Sequence, residues 1–164
     1  MNMHIGESLS KTVLNSWKSV NHRFSEVISR LSDEDLEREI ATGRNRALYV
    51  VGHVAATNDR LFPLLGIGER KYHDLDSVYI DQPDRAVDDP VPLSALKTAS
   101  DDVARRITEA LERFTPEEWL EKHTAVSDED FAKDPGRNRL AVVLSRTNHM
   151  SYHLGQIILA NSRH

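Results

Sequence analysis

Cysteine is absent from the 164 residues of this chain. Its absence excludes disulfides, thiolate metal ligands and a cysteine nucleophile, so any thiol chemistry must use an external thiol. Glycine and proline are also few, with seven and six copies. Alternating strand patterns are nearly missing as well, which favours an all-α fold.

Long apolar runs and basic clusters are missing too. No run approaches the roughly 18 apolar residues that a membrane span needs, and the N-terminus lacks the apolar core of a secretory signal. We therefore expect a cytoplasmic protein with no membrane partner. The net charge is −5, and no basic block could follow a phosphate backbone, so nucleic acid is not an expected partner.

The remaining composition is that of an ordinary soluble protein. Hydrophobic residues make up 39% of the chain and charged residues 29%. A chain of this length can bury a core of its own. We expect one domain spanning residues 1–164.

Apolar residues at helical spacing predict four long helices. The first covers roughly 8–31, the second runs from the candidate N-cap Asn45 to about 63–66, the third covers 93–114, and the fourth runs from the candidate N-cap Asn138 to about 160. Short connector helices are predicted after Ser32 and Thr115, where a capping side chain precedes acidic residues. Residues 67–92 contain prolines and many acids, and they predict a long irregular connection.

The fourth helix carries almost no charge. Between Leu140 and Ala160 only Arg146 is permanently charged, so we expect this helix to be buried nearly all round. One side would line a site, and the remaining apolar surface would meet a second subunit across a two-fold axis, which predicts a homodimer. The alternative is a central helix enclosed within one chain.

The sequence Gly-Arg-Asn-Arg occurs twice, at 43–46 and 136–139, each time directly before a histidine-bearing apolar helix. This repeat indicates either two related helical hairpins or a chance match between two capping sequences.

Three histidines form a candidate metal site. His149 and His153 are four residues apart and therefore share one helix face. His53 lies in the apolar second helix, where an unpaired imidazole would cost desolvation. Three histidines without cysteine or an obvious carboxylate are typical of a catalytic metal centre with an open position. Imidazole suits zinc, nickel, copper or iron, and we expect zinc or nickel. Histidines satisfied within the core are the structural alternative.

The segment Asn148-His149-Met150-Ser151-Tyr152-His153-Leu154-Gly155-Gln156-Ile157 resembles the last-helix signature of the DinB/YfiT superfamily, and Gly52-His53-Val54 resembles its second-helix histidine. The resemblance implies an up-down-down-up four-helix bundle with short connector helices, frequently dimeric. It also implies one divalent metal ion held by His53, His149 and His153.

The resemblance also suggests a reaction. Characterised members include thiol transferases that use bacillithiol and a mycothiol-dependent maleylpyruvate isomerase. Our first hypothesis is therefore a metal-dependent transferase that moves a low-molecular-weight thiol onto a small electrophilic substrate. The alternatives are a metal-dependent hydrolase of a small substrate and a non-catalytic, dimeric helical binding module.

Three further residues are candidates for contact with the ligands or the substrate. Gln156 lies one turn after His153, whereas Thr57 and Arg60 lie one and two turns after His53. Each also has a simpler structural interpretation. Tyr152 is expected to point away from the histidine face.

Overall fold

The computed structural model describes residues 3–89 and 91–160, and within these ranges it is helical without strands. The helices are α1 (Met3–Arg30), α2 (Asp33–Glu37), α3 (Ala47–Asp59), α4 (Leu61–Leu65), α5 (Asp76–Tyr79), α6 (Leu93–Leu111), α7 (Pro116–Leu120), α8 (Asp128–Lys133) and α9 (Arg139–Ala160), with a 3-10 turn at His73–Leu75. The predicted all-α fold is confirmed. None of the described helices is long and apolar enough to cross a membrane.

The four long helices pack in a ring, in which α1 and α3 each lie between α6 and α9. At one end, α7 packs against both α1 and α9, and the N–H of Arg139 at the start of α9 donates to Glu121 just after α7. At the other end, Lys97 of α6 donates to the carbonyl of Leu31 at the end of α1. Arg46, just before α3, pairs with Asp89, just before α6. These contacts join the ends of neighbouring long helices.

Local capping explains where the connector helices begin. Ser32 accepts from the N–H of Asp35 at the start of α2, and Thr115 accepts from the N–H of Glu118 at the start of α7. Both acids return a hydrogen bond to the cap backbone, which completes a capping box at each predicted position.

The long helices begin in different ways. Asn138 caps α9 as predicted, because its Oδ1 accepts from the N–H of Ala141 at 2.9 Å. The prediction for Asn45 is wrong by one residue, since the N-cap of α3 is Arg46 and its side chain does not cap the helix. The Arg46 guanidinium instead bonds the carboxylates of Glu37, Asp84 and Asp89.

The connection after α4 is more ordered than its composition predicts. It contains the 3-10 turn and α5, and Asp59 at the end of α3 holds it in place. The fully buried Asp59 carboxylate accepts from Arg70 Nε and from the N–H groups of Lys71 and Tyr72, each at 3.1 Å. Arg70 also pairs with Asp76 of α5. A buried carboxylate needs such partners, and here they bring α5 against α3.

The single chain does not enclose the fourth helix, and burial of its remaining surface by a second subunit stays a prediction. Leu144, Tyr152 and Leu159 of α9 are 43%, 65% and 72% exposed. A helix enclosed within one chain is therefore not observed. The outer surface of α9 is exposed to solvent in the single chain, although it carries little charge.

The two halves of the described chain contain similar hairpins, but the sequence repeat is not the cause. The N–H of Ala47 bonds Arg38 just after α2, and the N–H of Arg139 bonds Glu121 just after α7, both at 2.9 Å. This relationship pairs residue 47 with 139, whereas the repeated Gly-Arg-Asn-Arg pairs 46 with 139. The backbone hydrogen bonds therefore align the two hairpins one residue away from the alignment that the repeat would give.

Candidate metal centre

Three imidazole rings from α3 and α9 converge at the middle of the bundle. Nε2 of His149 lies 3.0 Å from Nε2 of His153 and 3.3 Å from Nε2 of His53. The three side chains are half-buried and offer one nitrogen each within 4.8 Å of one another. This is the trio that the sequence predicts. The spacing of His149 and His153 places both on one face of α9, which packs against the α3 face that carries His53.

His53 is oriented by a backbone carbonyl. Its Nδ1 lies 2.9 Å from the carbonyl oxygen of Tyr79, at the end of α5. A carbonyl oxygen only accepts, so Nδ1 carries the proton and Nε2 keeps its lone pair toward the other two histidines. Tyr79 is fully buried and its ring lies against Gly52, the residue before His53. Metal-binding histidines typically have such a partner on the second ring nitrogen.

His153 is oriented by a side-chain amide. Its Nδ1 lies 2.7 Å from Oε1 of Gln156, and Nε2 of Gln156 donates to the hydroxyl of Tyr152 at 3.1 Å. Gln156 therefore holds the His153 ring so that Nε2 of His153 faces the other two histidines. The predicted position of Gln156, one turn after His153, allows this contact. The prediction that Tyr152 points away from this face is wrong, because its ring packs 5.2 Å from that of His153.

His149 lies between the other two and is kept neutral. Burial, together with the nearby His153, Arg146 and His53, lowers the pKa of His149 to about 4. Burial also lowers the pKa of His153, against the opposing effect of Gln156. Both imidazoles are therefore neutral at pH 7, the form that binds metal. Nδ1 of His149 is buried and has no hydrogen-bond partner among the described residues.

The donor set fits a divalent metal ion. Two nitrogens bound at 2.0–2.1 Å to a tetrahedral ion lie roughly 3.3 Å apart, which is close to the observed separations of 3.0 and 3.3 Å. The three histidines leave further coordination positions for other ligands. Such open three-histidine sets are typical of catalytic rather than structural zinc sites.

A pocket of about 320 Å³ opens beside the histidines. Its walls come from the start of α3, the end of α5 and the last turns of α9. They are formed by Asn45, Tyr49, Val50, His53, Ile80, Tyr152, His153 and Gln156. None of these residues is acidic or permanently charged, so the pocket offers hydrogen bonds and apolar surface to a ligand, but no salt bridge.

Two of the predicted contact residues have other partners. The hydroxyl of Thr57 donates to the carbonyl of His53 within α3 at 2.8 Å. Arg60 bonds Asp76 through Nε and Nη2, at 3.0 and 2.7 Å. Neither residue lines the pocket. Both instead support the backbone and the α5 segment around the histidines.

Sequence reasoning missed the contribution of the 79–80 segment. Tyr79 provides the carbonyl that orients His53, and Ile80 lines the pocket. The available signal was Gly52, since a glycine inside an apolar helix indicates close approach of another element. A backbone carbonyl has no sequence signature of its own, so its role could only be found in the structure.

The fold and the site together define an all-α bundle protein whose histidine cluster can hold a metal ion. The chain belongs to the DinB superfamily, because the model of this superfamily matches residues 16–157, a range that includes all three histidines. This confirms the family resemblance. A search of curated proteins found no match.

Proposed function

We propose that this protein is a metal-dependent enzyme that transfers a low-molecular-weight thiol to a small electrophilic substrate. His53, His149 and His153 would hold one divalent ion, with zinc or nickel expected from the imidazole donors. The observation that carries the proposal is the convergence of three Nε2 atoms beside an uncharged pocket. A bound ion of this kind lowers the pKa of a coordinated thiol and polarises a carbonyl oxygen.

The residues of the chain hold and shape the site. Tyr79 and Gln156 fix the ring orientations of His53 and His153. Tyr49 and Ile80 give the pocket apolar walls, which suit the carbon skeleton of a small electrophile. The pocket volume of about 320 Å³ lies at the lower end of the range for small-molecule sites.

The absence of acids from the pocket walls favours thiol transfer over hydrolysis. Many metal-dependent hydrolases place a glutamate next to the metal to deprotonate water, but no described residue that lines this pocket is an aspartate or glutamate. A thiol loses its proton more readily than water does, because its pKa is lower.

In the transfer, the thiol releases its proton to solvent, its sulfur forms a bond to the electrophilic carbon, and the leaving group departs with its electron pair.

Elemental analysis tests the metal centre. The untagged protein would be purified without nickel resin and compared with His53→Ala, His149→Ala and His153→Ala. The exposed His22 of α1 lies outside the site and provides the control His22→Ala. We expect about one ion per chain in the wild type and the control, and none in the three site variants. A wild type that lacks metal and binds no added ion would contradict the metal-dependent enzyme. The non-catalytic helical binding module would then be the remaining hypothesis.

Thiol dependence tests the reaction. The metal-loaded protein would be incubated with small electrophiles, such as an epoxide and an aryl halide, with and without an added thiol. The transferase proposal requires product formation that depends on thiol and is lost in His153→Ala. Turnover of ester substrates without thiol would identify a hydrolase instead.

We also propose that the chain forms a homodimer through the outer surface of α9. Leu144 and Leu159 are exposed on this helix, and apolar side chains of this size are commonly covered in an assembly. The helix carries little charge, since Arg139 and Arg146 are the only permanently charged residues of α9. A two-fold interface would bring the same surface of two copies together.

A further inference from the structure

The hydrogen bonds around His153 form a short directional chain. Nδ1 of His153 lies 2.7 Å from Oε1 of Gln156, and Nε2 of Gln156 lies 3.1 Å from the hydroxyl oxygen of Tyr152. All three residues are on α9, at spacings of three and four that place them on neighbouring turns. The phenol ring of Tyr152 also packs against the imidazole of His153.

The donors and acceptors of this chain follow from the role of His153. A neutral imidazole that offers its Nε2 lone pair to a metal carries its proton on Nδ1. This proton is donated to Oε1 of Gln156, so the amide turns its NH₂ group toward Tyr152. The oxygen of Tyr152 accepts from that group, and its own O–H must therefore point elsewhere.

The O–H of Tyr152 has no acceptor within the described part of the chain. Among residues 3–89 and 91–160, the hydroxyl has one hydrogen bond, which it accepts from Gln156. The side chain is 65% exposed and borders the same pocket as His53 and His153. A free donor is thus placed at the wall of the pocket that His53 and His153 also line.

We propose that Tyr152 donates a hydrogen bond to an oxygen atom of the ligand, and that the site therefore selects molecules with a carbonyl or carboxylate oxygen near the metal-binding atom. The inference rests on the proposed function, because it assumes that the ligand binds at the histidine centre. Tyr152 then acts on the ligand directly, whereas Gln156 is a positioning residue that fixes the direction of the Tyr152 hydroxyl.

Acetate and ethanethiol are suitable probes for this donor. Protein loaded with cobalt(II) would be titrated with each probe, and binding would be followed by visible absorption. Acetate has oxygen acceptors, whereas sulfur accepts hydrogen bonds only weakly. We expect Tyr152→Phe, which keeps the ring and removes the hydroxyl, to bind acetate about tenfold more weakly. Its affinities for cobalt and for ethanethiol should be unchanged.

Gln156→Glu tests the direction of the chain. A glutamate can still accept from Nδ1 of His153, but it cannot donate to Tyr152, so the Tyr152 O–H would turn to the new carboxylate. In this background, adding Tyr152→Phe should no longer weaken acetate binding. The effect of Tyr152→Phe is measured separately in the wild type and in Gln156→Glu. Repulsion between acetate and the new carboxylate is present in both members of the second pair, so it cancels from the comparison.

The outcomes separate the two proposals. A wild type that takes up no cobalt at the histidines overturns the proposed function and this inference together. Full cobalt uptake with no acetate binding, or with equal acetate affinity in wild type and Tyr152→Phe, overturns only the inference. An equal loss of acetate and ethanethiol affinity also overturns it, since that pattern indicates general damage to the pocket.

Discussion

Gly52 lies so close to Tyr79 that a β-carbon at position 52 would be 2.5 Å from Cγ of the tyrosine ring and 2.6 and 2.7 Å from its two Cδ atoms. Real β-carbons essentially never show such contacts, and the Tyr79 ring is fully buried within the hydrophobic core. The contact brings the carbonyl of Tyr79 within 2.9 Å of His53 Nδ1. Gly52 thus permits α5 to orient a metal ligand.

Gly52→Ala should weaken both folding and metal binding. Alanine gains up to about 1 kcal/mol in helix propensity, but displacing a packed ring costs about 1–3 kcal/mol. We expect a net loss of stability and a loss of metal affinity of about tenfold or more, as for other changes next to a metal ligand. Urea unfolding and chelator competition measure the two effects.

Gly155→Ala is the matched control for this prediction. Gly155 is also helical and lies two residues from His153, but nothing lies within 4 Å of a β-carbon placed there. This variant should gain up to about 1 kcal/mol and keep its metal affinity. Equal behaviour of the two alanine variants would contradict the role of Gly52.

The metal-free protein should lose stability as the pH falls below 6.5. Burial lowers the pKa of His149 from 6.5 to about 4 and also lowers the pKa of His153. Between these pH values the unfolded chain binds more protons than the folded one, so protonation favours unfolding. Each group contributes a slope of at most about 1.4 kcal/mol per pH unit, and its contribution is complete above pH 6.5.

Urea midpoints between pH 7.5 and 5 would measure this slope. The carboxylates with lowered pKa, such as Asp76 and Asp102, titrate below this window. His149→Gln removes one titrating group and should give a flatter dependence. A slope identical to that of the wild type would show that His149 does not have the lowered pKa.

Asp59→Asn should destabilise the protein and disturb the histidine centre. Both carboxylate oxygens accept hydrogen bonds from the 70–72 segment, whereas an amide would direct an NH₂ group at one of these donors. Breaking a buried charge pair of this kind costs about 3–5 kcal/mol. The loosened segment precedes Tyr79, so metal affinity should fall as well.

Asp101→Asn provides the comparison for Asp59. Asp101 is exposed on α6, and its carboxylate accepts a hydrogen bond from Ser25 at 2.7 Å. We expect a change within about 0.5 kcal/mol for such a surface position. Thermal unfolding and chelator titration of both variants would show whether the larger effect is specific to Asp59.

Leu159→Glu should dissociate the proposed homodimer. Leu159 is 72% exposed in the single chain, so a charge costs the isolated chain little but would be buried without a partner in a two-fold interface. Light scattering after size exclusion would measure the mass of the wild type and the variant. A monomeric wild type would contradict the proposed dimer.

Particular residues show why some predictions succeeded. His149 and His153 are four apart on one uninterrupted helix, so helical geometry alone brings them together. Thr115 and Ser32 begin connector helices because capping depends on residues only three positions away. Predictions that depended on packing were less accurate. Tyr152 was expected to point away from the histidines, yet its ring packs against that of His153. Contact of Thr57 and Arg60 with the ligands or the substrate stays a prediction, and in the structure these residues bond His53 and Asp76.

The repeated Gly-Arg-Asn-Arg shows the limit of local comparison. The repeat precedes the second helix of each hairpin, and the two hairpins are alike. Their backbone hydrogen bonds nevertheless make residue 47 equivalent to 139, whereas the repeat would make residue 46 equivalent to 139. Four matching letters did not define the register, because register depends on the backbone contacts with α2 and α7.

The sequence by itself determined the helical class and the pairing of His149 with His153, because helical periodicity, capping and the ligand spacing within α9 are local properties of the chain. The family and the third histidine, His53, followed from the resemblance of two short segments to the DinB superfamily. Only the tertiary structure decided how His53 and His153 are oriented and what surrounds them. The carbonyl of Tyr79 reaches His53 across 26 residues, and it does so because Asp59 holds the connection and Gly52 leaves room for the ring. Such long-range contacts depend on the packing of the whole bundle, which no local pattern records.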